Sequence, residues 1–424
     1  MIAIPSVSRL RAPLAVVALV ASSALASATA QTTTPANTSL APWSTLSIQS
    51  KKLGTERKLF VATPDGYTTS KARYPVLVLL DADDRPQFVA ALANIAFLAS
   101  RNAIPPMIVV GVPNGKDRTH DLTPVATGAT AKLFPTAGGA AAFTDFIVDE
   151  VLPRIRSSYR TMPTTVLAGH SFGGLLALHA AAAPAGAFAG IVAMSASLWI
   201  NDSLPAIAYA DSIARAPGTP RLFATSGGFE PPIASTVKRF SEHLDSIKPA
   251  AALAFGQRFY PENSHGLTPV PSLMDGLRFV FEPISLATAP INSSLGPTSD
   301  SATVVNAFNA TNDRYVQGAR SLGMPEALPE TMVNSLAYAV LQQLKQPGAA
   351  LVMLRYNAQH YPDSPNAFDS MGDALLAVHD SANAKSQFQH SLDVATRTHQ
   401  TASAETKKKL AALGNVMQAG KQRP

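Results

Sequence analysis

The sequence predicts an α/β domain with a mostly parallel sheet, followed by a separate all-α region. Three observations carry that reading. Short apolar runs at 76–80, 107–112, 165–168, 191–194, 221–225 and 253–259 recur along the first two thirds of the chain, with helical patterns between most of them. Buried strands alternating with amphipathic helices imply a parallel sheet covered on both faces. One of these runs passes through Gly169-His170-Ser171-Phe172-Gly173 straight into an alanine- and leucine-rich stretch, so a strand turns sharply into a helix. Beyond about residue 301 only helical periodicity is left.

The elements justify themselves in order. Residues 1–30 carry Arg9 and Arg11, an apolar stretch from Ala12 to about Leu25, and Ala28-Thr29-Ala30 before Gln31. This is the pattern of a cleavable secretory signal, with cleavage near Ala30 and a periplasmic or secreted bacterial destination. The apolar run is too short to span a bilayer comfortably, and no other stretch approaches ~20 uninterrupted apolar residues. No stable membrane anchor is expected. The chain has no cysteine, which excludes disulfides, thiolate metal sites, a cysteine nucleophile and a lipid-modified N-terminal cysteine. The formal charge is +6, and loss of Arg9 and Arg11 leaves +4. Apart from Lys407, Lys408 and Lys409 the basic residues are scattered, and no basic stripe interleaves with aromatics, so a nucleic-acid partner is not expected.

Residues 31–282 make up the α/β domain. Alternating segments at 46–50 and 58–62 flank Gly54 and predict an antiparallel hairpin that opens the sheet. A later helix places Phe143, Phe146, Ile147, Val151 and Ile155 on a single face. Residues 283–301, rich in proline, serine and small residues without periodic hydrophobicity, predict a linker. Residues 302–424 form the helical domain with its basic tail. Within it two segments match at a spacing of 34 residues: Tyr338 with Gly372, Leu341 with Leu375, Ala350 with Ala384, and Leu354 with Phe388, Pro362 closing the first unit. This register resembles the tetratricopeptide repeat, in which small residues let antiparallel helices pack closely. The resemblance implies a small solenoid from about Thr303 to Leu413, with a surface for a protein partner or for self-association.

The G-x-S-x-G turn carries the chemistry. It forces its serine into a strained conformation at the top of a sheet, and the flanking glycines avoid collisions with strand and helix. Ser171 is therefore the candidate nucleophile. A serine hydroxyl needs a histidine base, and the base needs a carboxylate to fix its tautomer. In this kind of fold the chain order is serine, acid, histidine. His243 and His265 are the histidines after the elbow helix and before the linker. His243 sits in a helical run, whereas His265 follows the last apolar strand in the polar loop YPENSHG, so His265 is the expected general base and acid. The acid should follow the run 221–225, and Glu230 in ATSGGFEPP is the first carboxylate there. Glu262 is its rival, with Asp202, Asp211 or a Ser-His pair without an essential acid also open. The oxyanion hole should combine the N–H of Phe172 with one from Asp81-Ala82-Asp83-Asp84. Ala82 is the candidate within that segment, whose amides the sequence does not distinguish. Asp81 itself reads as structural, and His170 as a packing neighbour of the elbow.

The segments ATPDGY, YPVLVLLDAD, DRTHDLTP, GHSFGG, SASLWIND and the closing SHG followed by LMDGLRFVF resemble the esterase branch of the α/β-hydrolases. That branch includes esterase D, feruloyl esterases, mycolyltransferases and ferric-enterobactin esterases. The likeness covers roughly residues 46–281. DRTHDLTP and SASLWIND look most like the siderophore-esterase members. The resemblance implies that Arg118 contacts an anionic or carbonyl part of a ligand and that Trp199 lines an acyl or aromatic pocket. It also implies the α/β-hydrolase fold. No H-E-x-x-H and no G-x-x-x-x-G-K-[ST] loop is found, so neither a metal nor an organic cofactor is expected. The expected activity is hydrolysis of a small-molecule carboxylic ester through an acyl-enzyme, by a Ser-His-Glu triad. Acyl transfer by the same residues, or a non-catalytic scaffold that binds a partner through its helical repeats, are the alternatives.

Overall fold

A computed structural model describes residues 43–421, except 69–70, 184–185, 217–219, 248–252, 286–295 and 297–298, with side chains described to 413. The expected signal at 1–30 and most of the expected linker lie outside the described residues.

Among the described residues eight strands form one sheet in the order β1-β2-β4-β3-β5-β6-β7-β8. The strands are β1 (Ser44–Gln49), β2 (Glu56–Ala62), β3 (Tyr74–Leu80), β4 (Ile108–Val112), β5 (Thr161–His170), β6 (Gly190–Met194), β7 (Arg221–Gly227) and β8 (Phe255–Tyr260). β1 and β2 form the expected antiparallel hairpin, β2 pairs antiparallel with β4, and every pairing from β4 to β8 is parallel. Both faces are buried because alternate residues of one strand serve two cores. Leu77 and Leu79 of β3 join one cluster, while Val76, Val78 and Leu80 join the other.

The helices of the α/β domain are α1 (Arg85–Ser100), α2 (Arg118–Leu122), α3 (Gly128–Leu133), α4 (140–158), α5 (Phe172–Ala182), α6 (Leu204–Arg215), α7 (Pro231–Ser246) and α8 (Pro269–Val280). In α4 the expected face is buried throughout, from Phe143 to Ile155. Four of its residues (Phe143, Ile147, Val151 and Ile155) recur at intervals of four, which a 3.6-residue repeat would carry off the face. The wider π-type turn at Phe146–Val151 takes up that drift. β8 departs from expectation. It reads as an apolar run, yet it is an edge strand whose Gln257, Arg258 and Phe259 are exposed.

Beyond the sheet lie α9 (Ser301–Ser321), α10 (Glu330–Gln342), α11 (Pro347–His360), α12 (Pro365–Ala377), α13 (Ser381–Arg397) and α14 (Ala404–Lys421). From α10 onward each helix packs on the next. The matched positions Ala350, Ala384, Leu354 and Phe388 are fully buried. Gly372 is small because a Cβ there would lie 2.5 Å from the Phe388 ring. The helical layer shares a core with one face of the sheet: Phe281 and Ile284 run into Val304, Phe308 and Tyr315. The Thr164 hydroxyl also donates to the Leu322 carbonyl at 2.8 Å. No helix among the described residues is long and apolar enough to cross a membrane.

Candidate active site

Strand β5 ends at His170 and helix α5 begins at Phe172, which leaves Ser171 alone to make the turn, at φ 62° and ψ −116°. A non-glycine residue with positive φ is strained, and its surroundings must hold it there. Ser171 N–H donates to the Met194 carbonyl at 2.9 Å, and its own carbonyl accepts from Leu175 at 3.0 Å and Ser197 at 3.1 Å. A Cβ on Gly169 would sit 2.3 Å from the Gly173 carbonyl oxygen, and one on Gly173 would lie 2.9 Å from an Asp81 carboxylate oxygen. The two glycines let strand and helix approach this closely. The first amides of α5 have no intrahelical acceptor, and the Phe172 N–H has no partner among the described residues.

The loops after β7 and β8 bring two further side chains together. Glu230 is 5% exposed. Its Oε2 accepts from His265 Nδ1 at 2.5 Å, and its Oε1 accepts from the Ser195 hydroxyl at 2.6 Å and from the Gly227 N–H. Burial opposes ionisation of this carboxyl, but the bonds from His265, Ser195 and Gly227 outweigh it and hold its pKa below the usual glutamate value. An ionised carboxylate only accepts, so His265 Nδ1 carries the proton and Nε2 presents a lone pair. Ser171 Oγ lies 3.3 Å from Ser197 Oγ, and among the described residues no hydrogen bond joins it to His265.

His170 bridges the two halves. Its ring stacks on His265 with centroids 4.3 Å apart, and its Nε2 donates to the His265 carbonyl at 2.9 Å. Burial, with the neighbouring His265, pushes its pKa down to about 4, so the ring is neutral at pH 7. Asp81, buried and at φ 57°, anchors the other side. It takes Arg118 Nε at 2.6 Å and Nη2 at 2.9 Å, and Asn114 Nδ2 at 2.8 Å. Arg118 Nη2 reaches on to the His170 carbonyl at 3.4 Å.

The oxyanion candidate Ala82 needs correction. Its N–H donates to the Val112 carbonyl at 3.3 Å, and the Asp84 N–H donates to Asp81 at 3.0 Å. The last parallel ladder bond of β3 thus consumes the Ala82 amide. Asp81 and Asp83 keep N–H groups without a partner among the described residues.

The model of the family described as "Putative esterase" matches residues 50–222. Over that stretch the α/β domain is similar to the esterase family. A siderophore triacetylfusarinine C esterase of Aspergillus fumigatus is 34% identical over 103 residues, 22% of this chain and 34% of the fungal protein. The chain thus spans about a third of that relative's length. An IroE-like serine hydrolase from Shewanella oneidensis is 26% identical with a TM-score of 0.61, over 75% of this chain and 99% of the solved one. That share exceeds the esterase domain alone, so the likeness runs into the helical layer. An uncharacterised protein from Capnocytophaga ochracea shares the fold, at 15% identity and a TM-score of 0.59, over 88% of this chain and 99% of its own.

Within the esterase domain the rival residues are placed elsewhere. His243 of α7 bonds Asp211 of α6 at 2.9 Å. Glu262 and Asp202 are exposed, and neither bonds His265. Arg118, expected at a ligand, spends Nε and Nη2 on Asp81, and its Nη1 has no partner among the described residues. Trp199 is half-buried, 6.0 Å from the Phe134 ring, which in turn stands edge-on to Phe172 at 5.3 Å. It therefore stands two rings away from the elbow. Asn201 clamps this wall to the loop before α3, with its side chain accepting from Thr127 N–H at 2.8 Å and donating to the Val125 carbonyl at 2.9 Å. Sequence reasoning missed Ser195. It is fully buried, at φ 45°, and lies 35 residues from the carboxylate it serves; no local motif marks it.

Proposed function

We propose that this chain is an exported serine carboxylic-ester hydrolase in which Ser171 is the nucleophile, His265 the base and then the acid, and Glu230 the residue that orients His265. One observation carries the proposal: a buried glutamate holding His265 Nδ1 at 2.5 Å, beside a serine on a strained elbow. In the reaction, a turn about the Ser171 side-chain torsion moves Oγ from Ser197 to His265 Nε2, which takes its proton as Oγ attacks the ester carbonyl. Apo geometry at catalytic hydrogen bonds is commonly loose in this way. The N–H of Phe172, with that of Asp83 or Asp81 in place of Ala82, receives the developing oxyanion. His265 then protonates the departing alcohol, and water repeats the cycle to release the acid.

The likeness to the fungal siderophore triacetylfusarinine C esterase supports siderophore-type esters as the substrate class. Phe229 and Leu267, next to Glu230 and close to His265 in the chain, are exposed apolar side chains, in keeping with a substrate that carries apolar groups. Arg118 Nη1 and Trp199 are the proposed ligand contacts. The proposal keeps the signal at 1–30, the esterase domain at 31–282, the linker at 283–301 and a tetratricopeptide-like docking domain at 302–424.

The test is hydrolysis of p-nitrophenyl acetate and butyrate by wild type, Ser171→Ala, His265→Ala and Glu230→Ala. The proposal expects turnover by wild type, none by the first two variants and a severe loss in the third. Turnover that survives Ser171→Ala would end it.

A further inference from the structure

A wide cavity lies away from Ser171. It is a cleft of about 820 Å³ between the esterase domain and the helical layer. On one side it is lined by Phe223 of β7, Arg258 of β8 and the end of α8, and on the other by α9 and α10. Glu230 and His265 follow the carboxyl ends of β7 and β8, so none of the candidate catalytic residues lines the cleft.

Its walls and its mouth differ in chemistry. Phe223 and Phe279 face Phe308, Leu328, Met332 and Leu336 across it. Within the helical wall Thr311 is 2% exposed, and its hydroxyl has no hydrogen-bond partner among the described residues, an unmet polar group in an apolar surface. The mouth is cationic. Arg258 and Arg278 share one carboxylate, Asp275, at 3.4 and 3.6 Å, and their side chains are 59% and 62% exposed. Arg101 also lines the cleft and has no carboxylate partner among the described residues. The other lining acid, Glu282, is taken by Arg221 at 2.8 Å. Three guanidinium groups therefore meet one available carboxylate, at loose ion-pair distances that leave N–H donors open.

We propose that this cleft binds an amphipathic organic anion, a monocarboxylate with an extended apolar body. Ligand pockets typically run to ~300–1,000 Å³, are mainly apolar with a few placed polar groups, and favour domain interfaces. Arginine forks suit a carboxylate head, and the aromatic and aliphatic walls remove the apolar body from water. The proposal stands apart from the esterase reading, because binding is measured without turnover.

The experiment titrates the full chain with dansylated undecanoic acid, followed by fluorescence, and then displaces the probe with dodecanoate or with dodecanol. The cleft predicts saturable binding on the order of 10 μM, and displacement about tenfold better by the acid than by the alcohol. Arg258→Gln with Arg278→Gln should weaken probe binding about tenfold through the charge, and Leu336→Trp should do so by filling the space. Thermal midpoints separate either effect from misfolding, and the arginine variant alters only exposed side chains should the tryptophan not be accommodated. Three results overturn the proposal: a titration that stays linear to about 200 μM, dodecanol displacing as well as dodecanoate, or folded variants that bind like wild type.

Discussion

Glu230→Gln removes one charge from the proposed site and almost no volume. The buried carboxylate accepts three hydrogen bonds, from His265 Nδ1, the Ser195 hydroxyl and the Gly227 N–H. A glutamine offers one carbonyl oxygen and one NH2 in the same place. If its oxygen keeps Gly227 and Ser195, its NH2 faces His265 and demands a lone pair at Nδ1. The proton then moves to Nε2, and His265 can no longer accept one from Ser171. A wrong-tautomer histidine of this kind costs about a thousand- to ten-thousand-fold in kcat. If instead the oxygen keeps His265, the NH2 confronts two donors, and about 1–3 kcal/mol of stability is lost to unsatisfied buried groups. Either way the substitution is expensive, and kcat for p-nitrophenyl butyrate with a urea midpoint measured in parallel distinguishes the two. A variant that keeps kcat within tenfold of wild type, with an unchanged midpoint, would refute the reasoning.

Two further predictions follow from the elbow and its neighbour. His170 has its pKa lowered from 6.5 to about 4, so the fold excludes its proton. Stability is full above 6.5 and falls as pH drops toward 4, because the unfolded chain takes up a proton the folded chain refuses. The loss amounts to about 3 kcal/mol at most, and His170→Gln should flatten that part of the urea-midpoint profile; an unchanged profile counts against the buried neutral imidazole. Gly169→Ala drives a Cβ to 2.3 Å from the Gly173 carbonyl oxygen. It should destabilise by about 2–3 kcal/mol and abolish hydrolysis, whereas a variant with wild-type thermal midpoint and rate would show that the elbow has room to spare.

The parts legible in the sequence are those written locally. The elbow could be read because strand, G-x-S-x-G and helix are contiguous, and the central strands because burial on both faces makes them continuous apolar runs. His265 and Glu230 were reached through chain order and strand ends, and the 2.5 Å bond between them is consistent with that reasoning without testing their roles. What stayed hidden depends on packing between distant segments. Ser195 and Glu230 are 35 residues apart, and His170 meets the His265 carbonyl across 95 residues. Ala82 was misassigned because a loop's amide donors look alike in sequence, and only the ladder shows that Val112 already holds this one. The exposed edge strand β8 shows the same limit, since an apolar run does not reveal whether a neighbour covers it.

The central claim is that Ser171 is an activated nucleophile. Its most direct measurement is reaction of the full chain with a fluorophosphonate, with the adduct located by peptide mass spectrometry. The account predicts one adduct per chain, on Ser171, formed rapidly by wild type and at least about a hundredfold more slowly by His265→Ala, as expected when a positioned general base is lost. No adduct, or one on another serine, would contradict it.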